Sequence, residues 1–184
     1  MLHDITKDLY SGMVVWPGDV EFERNTVKFG EFTSSSVLMS LHAGTHMDAP
    51  RHRYKDGKPV NGFAPFIVQA LVNTGGDCRG KAVLLNEPIT ADEAETYVRS
   101  GAVLMGTASP SMDHRDSFEA HETILGAGIP IIENLVLENI IPGEYILMAF
   151  PLKFRDADGS PVRVLLADST EDINPRSRDH CPEG

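Results

Sequence analysis

Cysteine is almost absent from this chain of 184 residues: it occurs twice, at Cys78 and Cys181. Two thiols so far apart, with no C-x-x-C neighbour, build neither a disulfide framework nor a structural zinc cluster. Basic residues are also few. Sixteen Lys and Arg stand against 27 Asp and Glu, a formal net charge of −11. That argues against nucleic acid or an anionic membrane as the main partner, because both require basic surface. It does not exclude an anionic small molecule, since the local field of a site can oppose the total. No apolar run approaches the length of a membrane span. The start "MLHDITKDLY" has neither the basic end nor the apolar core of a signal peptide. These absences predict a cytoplasmic protein with a small-molecule substrate. A G-x-S-x-G elbow, a P-loop and a dinucleotide fingerprint are missing too, which removes serine hydrolases and nucleotide-binding enzymes.

What is present is a globular composition, 41% hydrophobic and 23% charged, at a length suited to one domain. "SSSVLMSLH" (34–42) reads as a strand running into a histidine-rich segment, and "FIVQALVNT" (66–74) as a second strand. "KAVLLN" (81–86) and "AVLMGTA" (102–108) are apolar strands flanking "ITADEAETYVRSGA". There Thr90 and Glu93 form a T-x-x-E capping box and Gly101 ends the helix. Strand, helix, strand is a βαβ unit, which implies parallel strands. "SFEAHETILGAG" (117–128) reads as a second helix and "IPIIENLVL" (129–137) as the next strand. "YILMAFPLKF" and "VRVLLAD" are late strands joined by the hairpin-type connection "RDADGSP". The expected class is α/β with one parallel and one antiparallel part. The domain is expected over 1–168, with a loose polar tail over 169–184.

Three of the seven histidines fall within "HAGTHMDAPRH" (42–52). Gly44, Thr45 and Pro50 argue against a helix there. On a strand, His42, His46 and Asp48 share one face. A straight strand would hold the Cα atoms of His42 and His46 roughly 13 Å apart, a gap that two imidazoles on one ion, bonded at about 2.0–2.1 Å, would span only at full stretch. The backbone must therefore bend, and Gly44 is the place for it. Pro50 can then turn His52 back over the same face. Imidazole and carboxylate without cysteine suit a catalytic zinc or manganese site. Farther on, Glu133 lies inside the apolar run "PIIENL", where a carboxylate asks for a cation.

The eleven residues resemble the H-x-G-T-H-x-D-x-P-x-H signature of the cyclase-type metal-dependent hydrolases. "VVWPGD" (14–19) is similar to that family's N-terminal turn. The stretch 121–165 resembles the bacterial arylformamidases within it. The resemblance implies a three-layer β/β/α domain of the swivelling type, with one parallel and one antiparallel sheet. It implies two divalent ions, zinc or manganese: one on His42, His46 and Asp48, the other on His121, with Asp48 and Glu133 shared. It further implies His52 as general acid/base, Trp16 against the substrate, and a homodimer or higher homo-oligomer. The implied substrate is a small aryl formamide such as N-formylkynurenine. A cyclic amide or lactone, or a binding domain without catalysis, remains as an alternative. The chain departs from the pattern at Ala108, where the family's G-x-D-x-P-S run has aspartate. Its segment between His52 and His121 is also short.

Overall fold

The structure is a computed structural model that describes residues 1–115 and 117–173. Ten strands and two α-helices appear among them. The strands are β1 (Leu2–Asp4), β2 (Glu23–Phe29), β3 (Phe32–Leu38), β4 (His46–Asp48), β5 (Phe66–Val72), β6 (Ala82–Leu85), β7 (Leu104–Thr107), β8 (Ile131–Glu133), β9 (Gly143–Pro151) and β10 (Gly159–Ala167). Helix α1 covers Ala91–Arg99 and α2 covers Glu119–Gly126.

The expected pair of separate sheets in a β/β/α sandwich is not what forms. Strands β5, β6, β7 and β8 are parallel neighbours, and β4, β10 and β9 are antiparallel neighbours. Both halves were expected. However, β8 also pairs with β4, and β9 with β5. Those two ladders join the halves at both edges into one closed, mixed barrel of seven strands. Closure removes the unpaired edges that a sandwich would leave. Strand β1 adds beside β10, and β2–β3 forms a separate two-stranded ribbon.

The apolar runs explain the layering. Adjacent residues of the parallel strands are both buried but belong to different cores. Val72, Leu84, Leu104 and Ile132 join residues from all seven barrel strands in the interior. Leu71, Val83, Met105 and Ile131 face the other way and pack under α1 and α2, against Ala94, Ala120, Ile124 and Leu125. Strands covered on both faces read as continuous apolar runs, as these do. Helix α1 begins at the expected capping box: Thr90 Oγ1 accepts the Glu93 N–H, and Glu93 accepts the Thr90 N–H at 2.8 Å. No helix among the described residues is long and apolar enough to cross a membrane.

The N-terminus is held against the end of the barrel. The Met1 ammonium lies 2.7 Å from Asp168 and 2.6 Å from Asp172. Of the tail expected over 169–184, Thr170–Ile173 forms a short 3-10 turn. Residues 174–184, including Cys181, lie outside the described residues.

Candidate metal centre and active site

The site lies on the outer face of the barrel, where β4 sits between β10 and β8. In this register His46 opposes Glu133 directly, and Asp48 opposes both Ile131 and Gly159. Met47 points the other way, into the barrel core. The period of two thus sends His46 and Asp48 to one side. Helix α2 packs near β8 and adds His121 from its first turn.

His42 lies in a turn after β3 ends at Leu38, not on the strand expected over 34–42. The bend occurs at Gly44, which has φ +65°. A Cβ there would stand 2.5 Å from the Leu9 side chain, so conformation and space both require glycine. As a result the His42 and His46 rings come within 5.1 Å. Pro50–His52 forms a 3-10 turn that brings the His52 ring to 4.2 Å from that of His42.

The contacts around Asp48 divide by oxygen. Oδ1 is 2.7 Å from His42 Nδ1 and 3.4 Å from His46 Nε2. Oδ2 is 3.4 Å from His121 Nε2. Glu133 Oε1 is 3.1 Å from His121 Nε2, and its Oε2 is 3.5 Å from His46 Nε2. Charged hydrogen bonds settle at about 2.7–2.9 Å. Tetrahedral ligands about 2.0–2.1 Å from a shared ion stand about 3.3 Å apart. Most of these separations fit the second spacing better. His46, Asp48 and Glu133 form one group whose donor atoms lie within 4.8 Å of one another, and His42, Asp48 and His52 form another.

Each imidazole has its other nitrogen held by an acceptor. His46 Nδ1 donates to the Gly44 carbonyl at 2.9 Å. His121 Nδ1 donates to Asp113 in a very short bond. His42 Nε2 meets Asp158 Oδ2 at 2.9 Å, and His52 Nδ1 faces the same oxygen at 3.4 Å. An acceptor behind each ring fixes its tautomer and aims the free nitrogen inward, the arrangement found behind metal-bound histidines. Asp113 and Asp158 were not singled out in the sequence. Asp113 also accepts the backbone N–H groups of Ala120 and His121, at 2.7 and 3.1 Å, and so caps α2. An Asp four residues before the helix predicted over 117–128 was a usable signal. Asp158 sat in a segment that reads only as a hairpin turn.

Burial makes the electrostatics strong. Asp48 and Glu133 are 1% and 4% exposed. Burial alone would lower the His46 pKa, but Asp48 and Glu133 outweigh it and hold the ring up at about 10. Burial opposes charge on His121 too, yet its hydrogen bonds to Asp113, Asp48 and Glu133 raise it to about 12. Desolvation pushes Asp48 up, and the surrounding imidazoles reverse this and place it well below the usual carboxylate range. The cluster demands positive charge, which protons or a divalent cation can supply.

These side chains form part of the wall of a cavity of about 1070 Å³ that the segment 6–19 helps to roof. Trp16, half exposed, lines it together with Tyr10, Val14 and Phe118. The turn Trp16–Asp19 closes with the Asp19 N–H on the Trp16 carbonyl. Ser40 Oγ then donates to Asp19 and accepts the His42 N–H, tying this roof to the cluster.

The family model named Cyclase matches residues 3–126. The chain belongs to the cyclase family. Among cyclase-family relatives it is 32% identical to the kynurenine formamidase of Salinibacter ruber, over 92% of this chain and 99% of that one. It is 36% identical to the kynurenine formamidase of Bacillus cereus, over 89% and 95%. A Bacillus stearothermophilus protein described as a predicted metal-dependent hydrolase superposes with a TM-score of 0.78 at 25% identity, covering 92% of this chain and 98% of that one. Isatin hydrolase A of Labrenzia aggregata shares the fold, with a TM-score of 0.76 at 20% identity over 92% and 94%. The Salinibacter alignment spans 209 positions while drawing on 92% of the 184 residues here. That relative therefore carries residues with no counterpart in this chain. Ala108, the departure from the cyclase pattern, packs against the barrel core and does not line the cavity.

Proposed function

We propose that this chain is a cytoplasmic, metal-dependent amidohydrolase that cleaves the carbon–nitrogen bond of a small aryl formamide of the N-formylkynurenine type. One observation carries the reading. Separate segments converge on a buried pair of carboxylates, and every inward-facing imidazole nitrogen is backed by an acceptor on its other side. Similarity to kynurenine formamidases over nearly the whole chain supports the substrate class.

The donor set fits zinc, and manganese as well. Among the described residues cysteine takes no part, since Cys78 is buried in the core beneath the helices. His42, His46 and Asp48 Oδ1 would hold one ion; Asp48 Oδ2, His121 and Glu133 would hold the second. When bound, such an ion lowers the pKa of a coordinated water from about 15.7 toward 7 and polarises a carbonyl oxygen. The protein's own groups do the rest. Trp16 and its aromatic neighbours take the aryl ring by offset or edge-to-face contact. His52, at the open side of the cluster, keeps Nδ1 toward Asp158 and presents Nε2 to the cavity. It takes a proton as the nucleophile attacks and returns it to the leaving nitrogen.

The β2–β3 ribbon supports a homodimer or higher homo-oligomer. Every one of its strand residues is exposed, including Val27, Phe29, Phe32, Val37 and Leu38, and an isolated two-stranded ribbon is marginal in water.

The test is metal analysis of the purified protein beside a rate panel of N-formylkynurenine, isatin and a lactone. The expected outcome is about two ions per chain and formamide hydrolysis abolished by a chelator. Preferential isatin or lactone hydrolysis would move the substrate class. Bound metal with no turnover on any of them would make the chain a binding protein.

A further inference from the structure

Arg53 and Tyr54 follow His52 directly, and both reach Glu122, which follows His121. Arg53 donates through Nε and Nη2 to Glu122 Oε1, at 2.9 and 2.5 Å. The Tyr54 hydroxyl donates to the Glu122 backbone carbonyl at 3.0 Å. It lies so close to α2 that a Cβ at Gly126 would stand 3.1 Å from it. Gly57 presses on the other side of the same turn: a Cβ there would stand 2.6 Å from the Pro50 carbonyl. Its N–H donates to the Tyr54 carbonyl at 2.7 Å. The 3-10 turn of His52 is thus held between α2 and the loop that follows it. Helix α2 is a fixed frame, because Ala120, Ile124 and Leu125 are buried in the hydrophobic core. The His52 ring has a weaker hold of its own. Among the described residues its hydrogen-bond contact is with Asp158 at 3.4 Å, beyond the usual range of about 2.7–3.2 Å. That contact orients the ring without fixing where its backbone stands. The result is a His52 ring 6.4 Å from that of His121.

We propose that Arg53, Tyr54 and Glu122 form a positioning tie that sets the reach of His52 over the metal centre. This rests on the reading of His52 as general acid/base and adds three residues that act through it. An ion pair whose side chains are 52% and 43% exposed adds little to stability, so its effect is geometric. Proton transfer needs the imidazole within about 2.6–3.2 Å of the atom that carries the proton, and a misplacement of about 1 Å can cost about 10²-fold. The guanidinium on the Glu122 side chain and the phenol on its main chain fix the turn at two points of one residue. Arg53 lines the cavity and Glu122 does not, a difference that separates positioning from contact with substrate.

The experiment follows N-formylkynurenine hydrolysis by the metal-loaded enzyme as wild type, Arg53→Gln, Glu122→Gln, the double variant, and the charge swap Arg53→Glu with Glu122→Arg. Either single substitution should lower kcat about 10-fold, with KM, metal content and melting temperature unchanged. The double variant should be no slower than either single one, and the swapped pair should recover most of the rate. Tyr54→Phe should lower kcat in the same way. Removing a comparable surface pair, Arg99 with Glu95, should change nothing. A loss confined to Arg53→Gln and carried by KM, with Glu122→Gln at the wild-type rate, would make Arg53 a substrate contact and overturn the tie. Unchanged kcat in both would overturn it as well. A second readout needs no turnover: crystal structures of the metal-loaded wild type and Glu122→Gln. The His52 and His121 rings should stay 6.4 Å apart in the first, and His52 should shift by about 1 Å or more in the second. An unmoved His52 in Glu122→Gln would overturn the tie. A ring that moves in a protein that hydrolyses no formamide would keep the tie and reject formamide hydrolysis.

Discussion

Asp158→Asn removes one charge behind the proposed metal centre and leaves the chain path alone. The backbone carbonyl of Asp158, not its side chain, accepts the Ala49 N–H at 2.8 Å. The side chain is 45% exposed, so the fold should change by no more than about 0.5 kcal/mol. Its Oδ2 serves both His42 Nε2 and His52 Nδ1. Asparagine retains one carbonyl oxygen but no charge, and it can align with only one ring at a time. Losing such an outer carboxylate costs about 10–100-fold in metal affinity, equivalent to about 1.4–2.7 kcal/mol. Only one of the two proposed ions touches His42. A calorimetric metal titration should therefore show one weakened step and one unchanged step. At saturating metal, kcat should remain down by about 10-fold or more, because His52 loses its anchor; complete loss of a general acid/base costs about 10²–10⁴-fold. Adding His52→Ala to Asp158→Asn should then cost less than His52→Ala alone. Unchanged affinity in both steps with unchanged kcat would refute the reasoning, as would equal weakening of the two steps.

Asp113→Asn should weaken the other metal step by about 10–100-fold, with a further loss of about 1 kcal/mol in thermal stability because Asp113 also caps α2. Gly159→Ala should act on the His42 ion, since its Cβ would stand 2.6 Å from His42 Cε1 and displace the ring; a drop of about 10-fold in affinity at that step, seen by calorimetry, is expected. The chelated protein should lose stability as pH rises. His46 and His121 are held at about 10 and about 12, above the unfolded value of about 6.5, so their contribution is complete below pH 6.5 and disappears as pH passes through those values. Thermal melts in chelator between pH 6.5 and 10 should show a falling midpoint, and metal affinity should rise over the same range as cations displace those protons.

The histidine segment was legible because its chemistry is local. Gly44, His46, Asp48 and Pro50 stand close enough in sequence that strand parity and one bend determine which rings can meet. Helix α1 was legible for the same reason, through Thr90 and Glu93. Glu133 announced itself by standing in an apolar run. The barrel was not legible, because closure depends on two long-range ladders, β4 with β8 and β5 with β9. Parity and turn chemistry say which face a strand buries and leave open which neighbour it pairs with. Asp113 and Asp158 were missed because a supporting acid acts only through a ring it reaches in space, 116 residues away in the case of Asp158 and His42.

The most direct test of the central claim is anomalous diffraction at the zinc edge from crystals of the protein grown with zinc. The account predicts two peaks about 3.5–4 Å apart, one on each side of the Asp48 carboxylate, with His42 and His46 around the first and His121 and Glu133 around the second. Zinc found only at surface carboxylates, with Asp48 and Glu133 bound to nothing but protonated imidazoles, would contradict it.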